Sequence, residues 1–328
     1  MACPRSDSSM KAPSDSCWVI HDGAAGNRRQ ALALAQAMAL DYREWSLQPG
    51  TLARWCAPRL FPAAHTTFGK EFAAALAASS PALSIGCGRI AALATQLTRA
   101  SGAYSIQILD PRLSPQHWDL VIVPEHDRMR GDNVLTLLGS LHPVDAQWLA
   151  RARGDFASLE NLPAPRTAVL LGGPTRATPL DQQFIHELLD TLQAESVGGG
   201  GSLMLVGSSR TPATWSALLR ERLAGQTAML WLDDRDGPNP YPGVLGWADR
   251  IVVSPDSVNM VSEACATEAP VRIAGFERAT GRVAAFLQSL QQRGRIRHLH
   301  AGNWNFVGTP LIETGRIAAA AIERLSRR

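Results

Sequence analysis

Three polar loops in this sequence carry residue types that hold phosphates and ribose rings. Gly172-Gly173-Pro174-Thr175-Arg176-Ala177-Thr178 and Gly207-Ser208-Ser209-Arg210-Thr211-Pro212 each follow a short apolar run and set glycine beside hydroxyls and an arginine. Glycine lets backbone N–H groups approach an anion closely, and a planar guanidinium suits bidentate contact with phosphate. Taken singly, each loop also reads as an ordinary turn with a solvent-facing arginine; the same polar set after neighbouring runs points to a phosphate site. The third stretch runs from Asn239 to Pro270, NPYPGVLGWADRIVVSPDSVNMVSEACATEAP. In it Ser254-Pro255-Asp256-Ser257 ends an apolar strand and caps the next helix. Asp256 and Ser257 either do only that, or Ser257 and Asn259 share the first helical N–H groups with a bound diphosphate. Glu263 stands about two turns further on, among Val261, Ala264 and Cys265, which read as buried. A carboxylate is rarely buried without a partner, and a ribose diol would supply two hydrogen bonds.

A fourth loop lies near the N-terminus: His21-Asp22-Gly23-Ala24-Ala25-Gly26-Asn27, between a strand and a helix. Gly23 and Gly26 allow a sharp turn and close approach to a ligand, or simply make a tight turn capped by Asn27. Glu125-His126-Asp127 is a dense polar cluster at a strand end that offers a general base facing a cleft; only two of its residues could share one ion and no third ligand is evident, so a metal site is not expected there. Asp234-Arg235-Asp236 is formally a D-x-D triplet, but its Gly/Pro/Asn-rich surroundings read as a solvated loop.

Several chemistries are excluded by what is missing. Only Lys11 and Lys70 are lysines, so there is no G-x-x-x-x-G-K-[ST] phosphate loop and no placed Schiff-base lysine. No G-x-S-x-G elbow is present. A short-chain epimerase needs Tyr-x-x-x-Lys, whereas Tyr42, Tyr104 and Tyr241 are followed four residues later by Ser46, Ile108 and Leu245. The five cysteines are spread out and include no C-x-x-C pair, which fits a reducing cytoplasm. The other 30 of the 32 basic residues are arginines scattered along the chain, and aromatics are only 6%, so no nucleic-acid groove is expected.

These loops need strands and helices to position them. The chain has 328 residues, about twice the usual domain size. Short apolar runs alternate with helical stretches throughout, which predicts βαβ units and a parallel sheet in each half. The expected fold class is therefore α/β, with two Rossmann-like domains. Residues 1–16 read as a disordered tail without the apolar core of a signal peptide. Residues 17–155 are expected to form the first domain, 156–305 the second, and 306–328 a terminal helix. The stretch around Ala152 to Arg166, with Leu162-Pro163-Ala164-Pro165, reads as the linker and Gly198 to Gly201 as a hinge. No run is long enough to span a bilayer.

DGAAGNRRQ, PEHDRMRGDNVLTLLGSLHPV, GGPTRAT, GSSRTP, NPYPGVLGWAD and SPDSVNMVSEACAT together resemble the mitochondrial-fission family of elongated-mitochondria proteins, over about residues 17 to 325. More distantly the chain resembles the GT-B glycosyltransferases, especially the enzyme that adds N-acetylglucosamine to the lipid-linked peptidoglycan precursor. That resemblance implies two domains with a cleft between them and a C-terminal helix crossing back onto the first. It implies Gly172, Gly173 and Thr175 at the donor phosphates, Tyr241 beside the base and Glu263 on the ribose. It places Gly23, Gly26 and Asn27 in an acceptor loop, and Ser140 and His142, with Glu125, near the cleft. The implied activity is metal-independent, inverting transfer from a nucleoside-diphosphate sugar with no further cofactor. Asp22, His126 or His21 would be the base, and Arg176, Ser208, Arg210, Asp256 and Ser257 would lie around the diphosphate. Asn27 stands near the place where the glycosyltransferase has its catalytic histidine. A lipid-linked or envelope acceptor, and a cytoplasmic location with peripheral contact at the inner membrane face, would follow. The alternative is a non-catalytic adaptor, since plant relatives are associated with recruiting a dynamin-type fission protein; a nucleotide-sugar epimerase is disfavoured.

Overall fold

A computed structural model describes residues 16–199, 201–224, 228–306 and 308–327. The expected tail, apart from Ser16, and Gly200 of the expected hinge lie outside these residues. The strands are β1 (Cys17–His21), β2 (Tyr42–Ser46), β3 (Leu83–Cys87), β4 (Tyr104–Ile108), β5 (Leu120–Pro124) and β6 (Val134–Leu137). They continue with β7 (Arg166–Leu170), β8 (Ser202–Val206), β9 (Ala228–Trp231), β10 (Arg250–Val253), β11 (Val271–Ile273) and β12 (Ile296–His298). The helices are α1 (Ala25–Ala37), α2 (Thr51–Cys56), α3 (Lys70–Ala78), α4 (Arg89–Ala100), α5 (Ala146–Asp155) and α6 (Gln182–Gly199). After them come α7 (Ala213–Arg222), α8 (Tyr241–Trp247), α9 (Val258–Cys265), α10 (Gly281–Gln292) and α11 (Thr314–Ser326).

Every strand pair is parallel. A parallel sheet needs helices on both faces, so its strands are buried on both sides and read as continuous apolar runs. Leu120-Val121-Ile122-Val123 and Leu203-Met204-Leu205-Val206 are such runs, and all eight residues are buried. The first sheet has the order β2-β1-β3-β4-β5-β6 and the second β12-β11-β10-β7-β8-β9. The expected α/β class with two Rossmann-like units is the observed one.

The chain divides into one unit that runs to Leu137 and resumes at Thr314, and a second unit, Leu138–Glu313. The division lies at 137/138, earlier than the 155 suggested by the Pro-rich stretch. The reason is that α5 belongs to the second unit: Arg153 donates to the Gly246 carbonyl at 3.2 Å and Trp247 Nε1 to the Phe156 carbonyl at 3.1 Å. α11 completes the first unit, where Arg316 donates to the Thr136 carbonyl at 3.0 Å and Arg324 to the Asp132 carbonyl at 2.6 Å. The first core is anchored by Trp18, Trp45 and Phe72, whose ring centroids lie 5.1 to 5.6 Å apart. In the second unit the two faces of the sheet are filled by separate clusters, one around Val253, Val261 and Phe286 and one around Leu171, Phe184 and Trp215.

Candidate functional site

Ligands of open parallel sheets bind beyond the carboxyl ends of the strands, where the strand order reverses. In the second unit that point lies between β7 and β10, because β8 and β9 continue from β7 on one side while β11 and β12 continue from β10 on the other. The loops at this point are Gly172–Thr178 after β7 and Ser254–Ser257 after β10, joined by Gly207–Pro212 after β8. Their hydrogen bonds lace them together. The Gly172 N–H donates to Ser254 Oγ at 2.8 Å and the Gly173 N–H to Asp256 Oδ2 at 3.3 Å. Ser254 Oγ donates in turn to Asp256 Oδ1 at 2.6 Å, and the Arg210 guanidinium pairs with Asp256 Oδ2. Thr211 Oγ1 reaches the Gly172 carbonyl at 2.9 Å and accepts the Ser208 N–H at 2.9 Å.

The two glycines are required by close approach. A Cβ on Gly172 would lie 2.0 Å from Asp256 Oδ2, and one on Gly173 2.0 Å from the Arg210 carbonyl oxygen. Asp256 thus spends its carboxylate on bracing the loops. Its side chain is 0% exposed, whereas that of Arg210 is 47% exposed and keeps further N–H groups toward solvent. Arg176 is exposed and enters no ion pair among the described residues. Thr175 closes its own turn, with its hydroxyl 2.6 Å from that of Thr178 and accepting the Thr178 N–H at 3.1 Å. The Ser208 hydroxyl accepts the Arg210 N–H at 3.2 Å.

Helix α9 leads from these loops to the buried carboxylate. Ser257 is its N-cap and accepts the Met260 N–H at 3.3 Å. Glu263 is 1% exposed and accepts the Tyr241 hydroxyl at 2.5 Å. Tyr241 opens α8, its N–H held by Asn239 Oδ1 at 2.9 Å. The segment that carries Ser140 and His142 runs beside α9 in the same unit: the Ser140 N–H donates to Ser262 Oγ at 3.1 Å, and the Leu138 N–H to Glu313 Oε2 at 2.6 Å. Ser140 Oγ is buried and has no hydrogen-bond partner among the described residues. Burial holds the His142 imidazole below its ordinary range, with the charges of Glu263 and Glu313 pulling the other way. Ser140, His142, Tyr241, Glu263 and Glu313 therefore form a polar group inside the second unit.

In the first unit the order reverses between β1 and β3, and the loop His21–Asn27 lies there. Asp22 accepts the Ala24 N–H at 3.1 Å and the Asn27 side-chain amide at 3.0 Å. Asn27 also accepts from the Cys87 thiol, 3.7 Å away at the end of β3. His21 is buried, and both ring nitrogens are engaged. Nδ1 accepts the Gly23 N–H at 3.1 Å, so Nε2 carries the proton and donates to Glu44 at 2.9 Å. Glu44 also pairs with Arg28 at 2.6 Å, and that bond holds its carboxyl below the usual range. Gly23 is exposed, and Gly26 and Asn27 are half-buried. Glu125-His126-Asp127 follows β5, with Glu125 exposed, His126 half-buried and Asp127 buried; Arg130 donates to the Glu125 and Asp127 carbonyls. Asp234-Arg235-Asp236 is a braced turn, in which Asp236 pairs with Arg220 at 2.8 Å and Arg235 with Asp233 at 2.7 Å.

Sequence reasoning did not single out Glu44 or Glu313, and it named Ser254 and Thr211 only as members of their loops. Each acts on a residue distant in sequence.

Residues 25–325 match the model of the mitochondrial fission ELM1 family. The chain belongs to that family. The mitochondrial fission protein ELM1 of Arabidopsis thaliana is 29% identical over 283 residues, 76% of this chain and 65% of that protein's length. Among solved structures, the UDP-GlcNAc 2-epimerase of Methanocaldococcus jannaschii matches with a TM-score of 0.58 at 10% identity, covering 95% of this chain and 100% of that one. A Staphylococcus aureus MnaA–UDP structure matches with a TM-score of 0.50 at 12% identity, covering 94% and 89%. MurG of Acinetobacter baumannii gives 0.49 at 12% identity, covering 95% and 92%. At these identities the likeness is one of fold. The missing Tyr-x-x-x-Lys pair bears on the short-chain type of epimerase alone.

Proposed function

We propose that the second unit binds a nucleoside-diphosphate sugar at the carboxyl ends of β7 and β10, and that this ELM1-family chain works as a glycosyltransferase-like protein. The observation that carries the reading is the junction of three things at one reversal of strand order. These are the Gly172-Gly173 loop that admits no side chain, the capped start of α9, and the buried Glu263 held by Tyr241. The N-terminal N–H groups of α9, with Arg176 and the outward N–H groups of Arg210, would receive the diphosphate. A ribose diol would join or replace the Tyr241 hydroxyl at Glu263. Two solved structures with this fold hold UDP, and UDP-GlcNAc with UDP, which makes a uridine donor the first to try.

A transfer step would need a general base. With both nitrogens of His21 engaged, Asp22 and His126 are the groups to test, by Asp22→Asn and His126→Gln. The donor site itself is tested by thermal unfolding with UDP, GDP, ADP, TDP and CMP, beside a Glu263→Gln variant. A ligand at 100 times its dissociation constant adds about 2.7 kcal/mol, which raises the midpoint of a unit this size by roughly 5–10 °C. One nucleotide should shift the wild type and shift the variant by no more than about half as much. No shift with any of the five refutes the donor site, and the adaptor reading then leads.

A further inference from the structure

Helix α2 and the chain after it are built the wrong way round for a helix that only packs on its own core. The small residues Ala53 and Ala57 face inward and are buried with Phe68 and Phe72. The large apolar residues face out: Trp55 is 82% exposed, Leu52 59% and Leu60 51%. Leu52 and Trp55 are three apart and share one helix face. Arg89 of α4 holds the segment in place by donating to the Ala57 carbonyl at 2.9 Å and the Arg54 carbonyl at 2.5 Å.

Along the chain the charge beside these side chains has one sign. From Trp45 to Lys70 the sequence contains no Asp or Glu, while Arg54, Arg59 and Lys70 are all present and exposed. Among the described residues neither Arg54 nor Arg59 enters an ion pair; Arg54 Nε only approaches the Pro49 carbonyl at 3.3 Å. Tryptophan with leucine, flanked by arginines, is the composition that settles at the headgroup level of an anionic bilayer, where an indole keeps one end wet and guanidinium groups meet lipid phosphates. We propose that Leu52, Trp55 and Leu60, with Arg54 and Arg59, dock this chain reversibly on an anionic lipid surface. Three large apolar side chains and a few cations give peripheral attachment, and no helix of the described residues is long and apolar enough to cross a membrane.

The test is flotation of the full chain with vesicles of phosphatidylcholine alone and of phosphatidylcholine with phosphatidylglycerol at seven to three. The wild type should float with the anionic vesicles at low salt, stay behind with the neutral ones, and be released by high salt. Leu52→Ser with Trp55→Ser should weaken partition by roughly tenfold or more. Arg54→Gln with Arg59→Gln should weaken it about 25-fold, about fivefold for each charge near an anionic surface. Both variants alter exposed side chains, so their melting temperatures should match the wild type, which separates loss of docking from loss of fold. Absence of binding to anionic vesicles overturns the proposal, as does equal binding to neutral ones or full binding by the Leu52/Trp55 variant. Sedimentation that shows a dimer of this chain lost on Trp55→Ser would also overturn it, because the face would then be covered by a second copy.

Discussion

Gly172→Ala should be among the most damaging single-methyl additions in the second unit, for a reason a double-mutant cycle can isolate. The new Cβ would stand 2.0 Å from Asp256 Oδ2, 2.3 Å from Oδ1 and 2.4 Å from Cγ. Ordinary contact lies near 3.4 Å or beyond, so the carboxylate must swing away. Asp256 then gives up the Ser254 hydroxyl at 2.6 Å and the Gly173 N–H at 3.3 Å. Hydrogen bonds to a charged group contribute about 1.5–3 kcal/mol each, so the loss is about 3–6 kcal/mol. For a unit of this size that lowers the unfolding midpoint by roughly 10 °C or more. Asp256→Ala removes the three atoms the methyl meets, so adding Gly172→Ala to that variant should cost under about 1 kcal/mol. The cycle, measured by urea unfolding, should show a coupling of about 2 kcal/mol or more. Additivity within about 0.5 kcal/mol, as expected of independent sites, would refute the contact between loop and carboxylate.

The His142 proton and the thiols give two further predictions. Burial lowers the folded pKa of His142 below its ordinary 6.5, so the unfolded chain takes up this proton more readily than the folded one, and stability falls as pH drops below about 6.5. His142→Asn should flatten the fall in melting temperature between about pH 7 and the lower folded pKa, a window above the acid range in which Glu44, held below its ordinary 4.5, loses its contribution; an unchanged slope would remove His142 from the account. Burial pushes the thiols of Cys17 and Cys265 up to about 12, and that of Cys87 well above the usual thiol range. Native protein treated with a disulfide reagent at pH 8 should therefore react at Cys56 before these three, as read by peptide mapping; rapid labelling of Cys87 would contradict its placement.

The sheets could be read from the sequence because a strand covered by helices on both faces must be apolar throughout. Some elements could not. α8 follows Pro240 and carries Pro242, Gly243 and Gly246, a composition of turns, yet proline is tolerated in the first helical turn. The glycines let the helix lie against α5: a Cβ at Gly243 would meet Phe156 at 2.4 Å and one at Gly246 would meet Arg153 at 3.1 Å. α5 itself was partly hidden by the Pro-rich stretch behind it. β12 is a three-residue edge strand, Ile-Arg-His, with too little apolar pattern to register.

At the site, glycine spacing and a carboxylate in an apolar helix were enough to single out Gly172, Gly173 and Glu263. The pairing of Asp256 with Arg210, 46 residues apart, arises only when β8 and β10 flank β7. The engagement of His21 by Glu44 likewise depends on the β1–β2 register, in which Glu44 stands opposite Val19, two residues before His21. Which titratable groups are occupied by the protein itself is a property of the folded sheet.

Calorimetric titration of UDP into wild type, Tyr241→Phe and Glu263→Gln tests for a nucleotide-sugar site at the β7/β10 switch. Such a site should give one-to-one binding to the wild type, weaker binding to Tyr241→Phe and at least roughly tenfold weaker binding to Glu263→Gln, the loss of a charged hydrogen-bond acceptor. Binding of equal strength to all three proteins, or no heat with any nucleoside diphosphate from folded wild type, would contradict it.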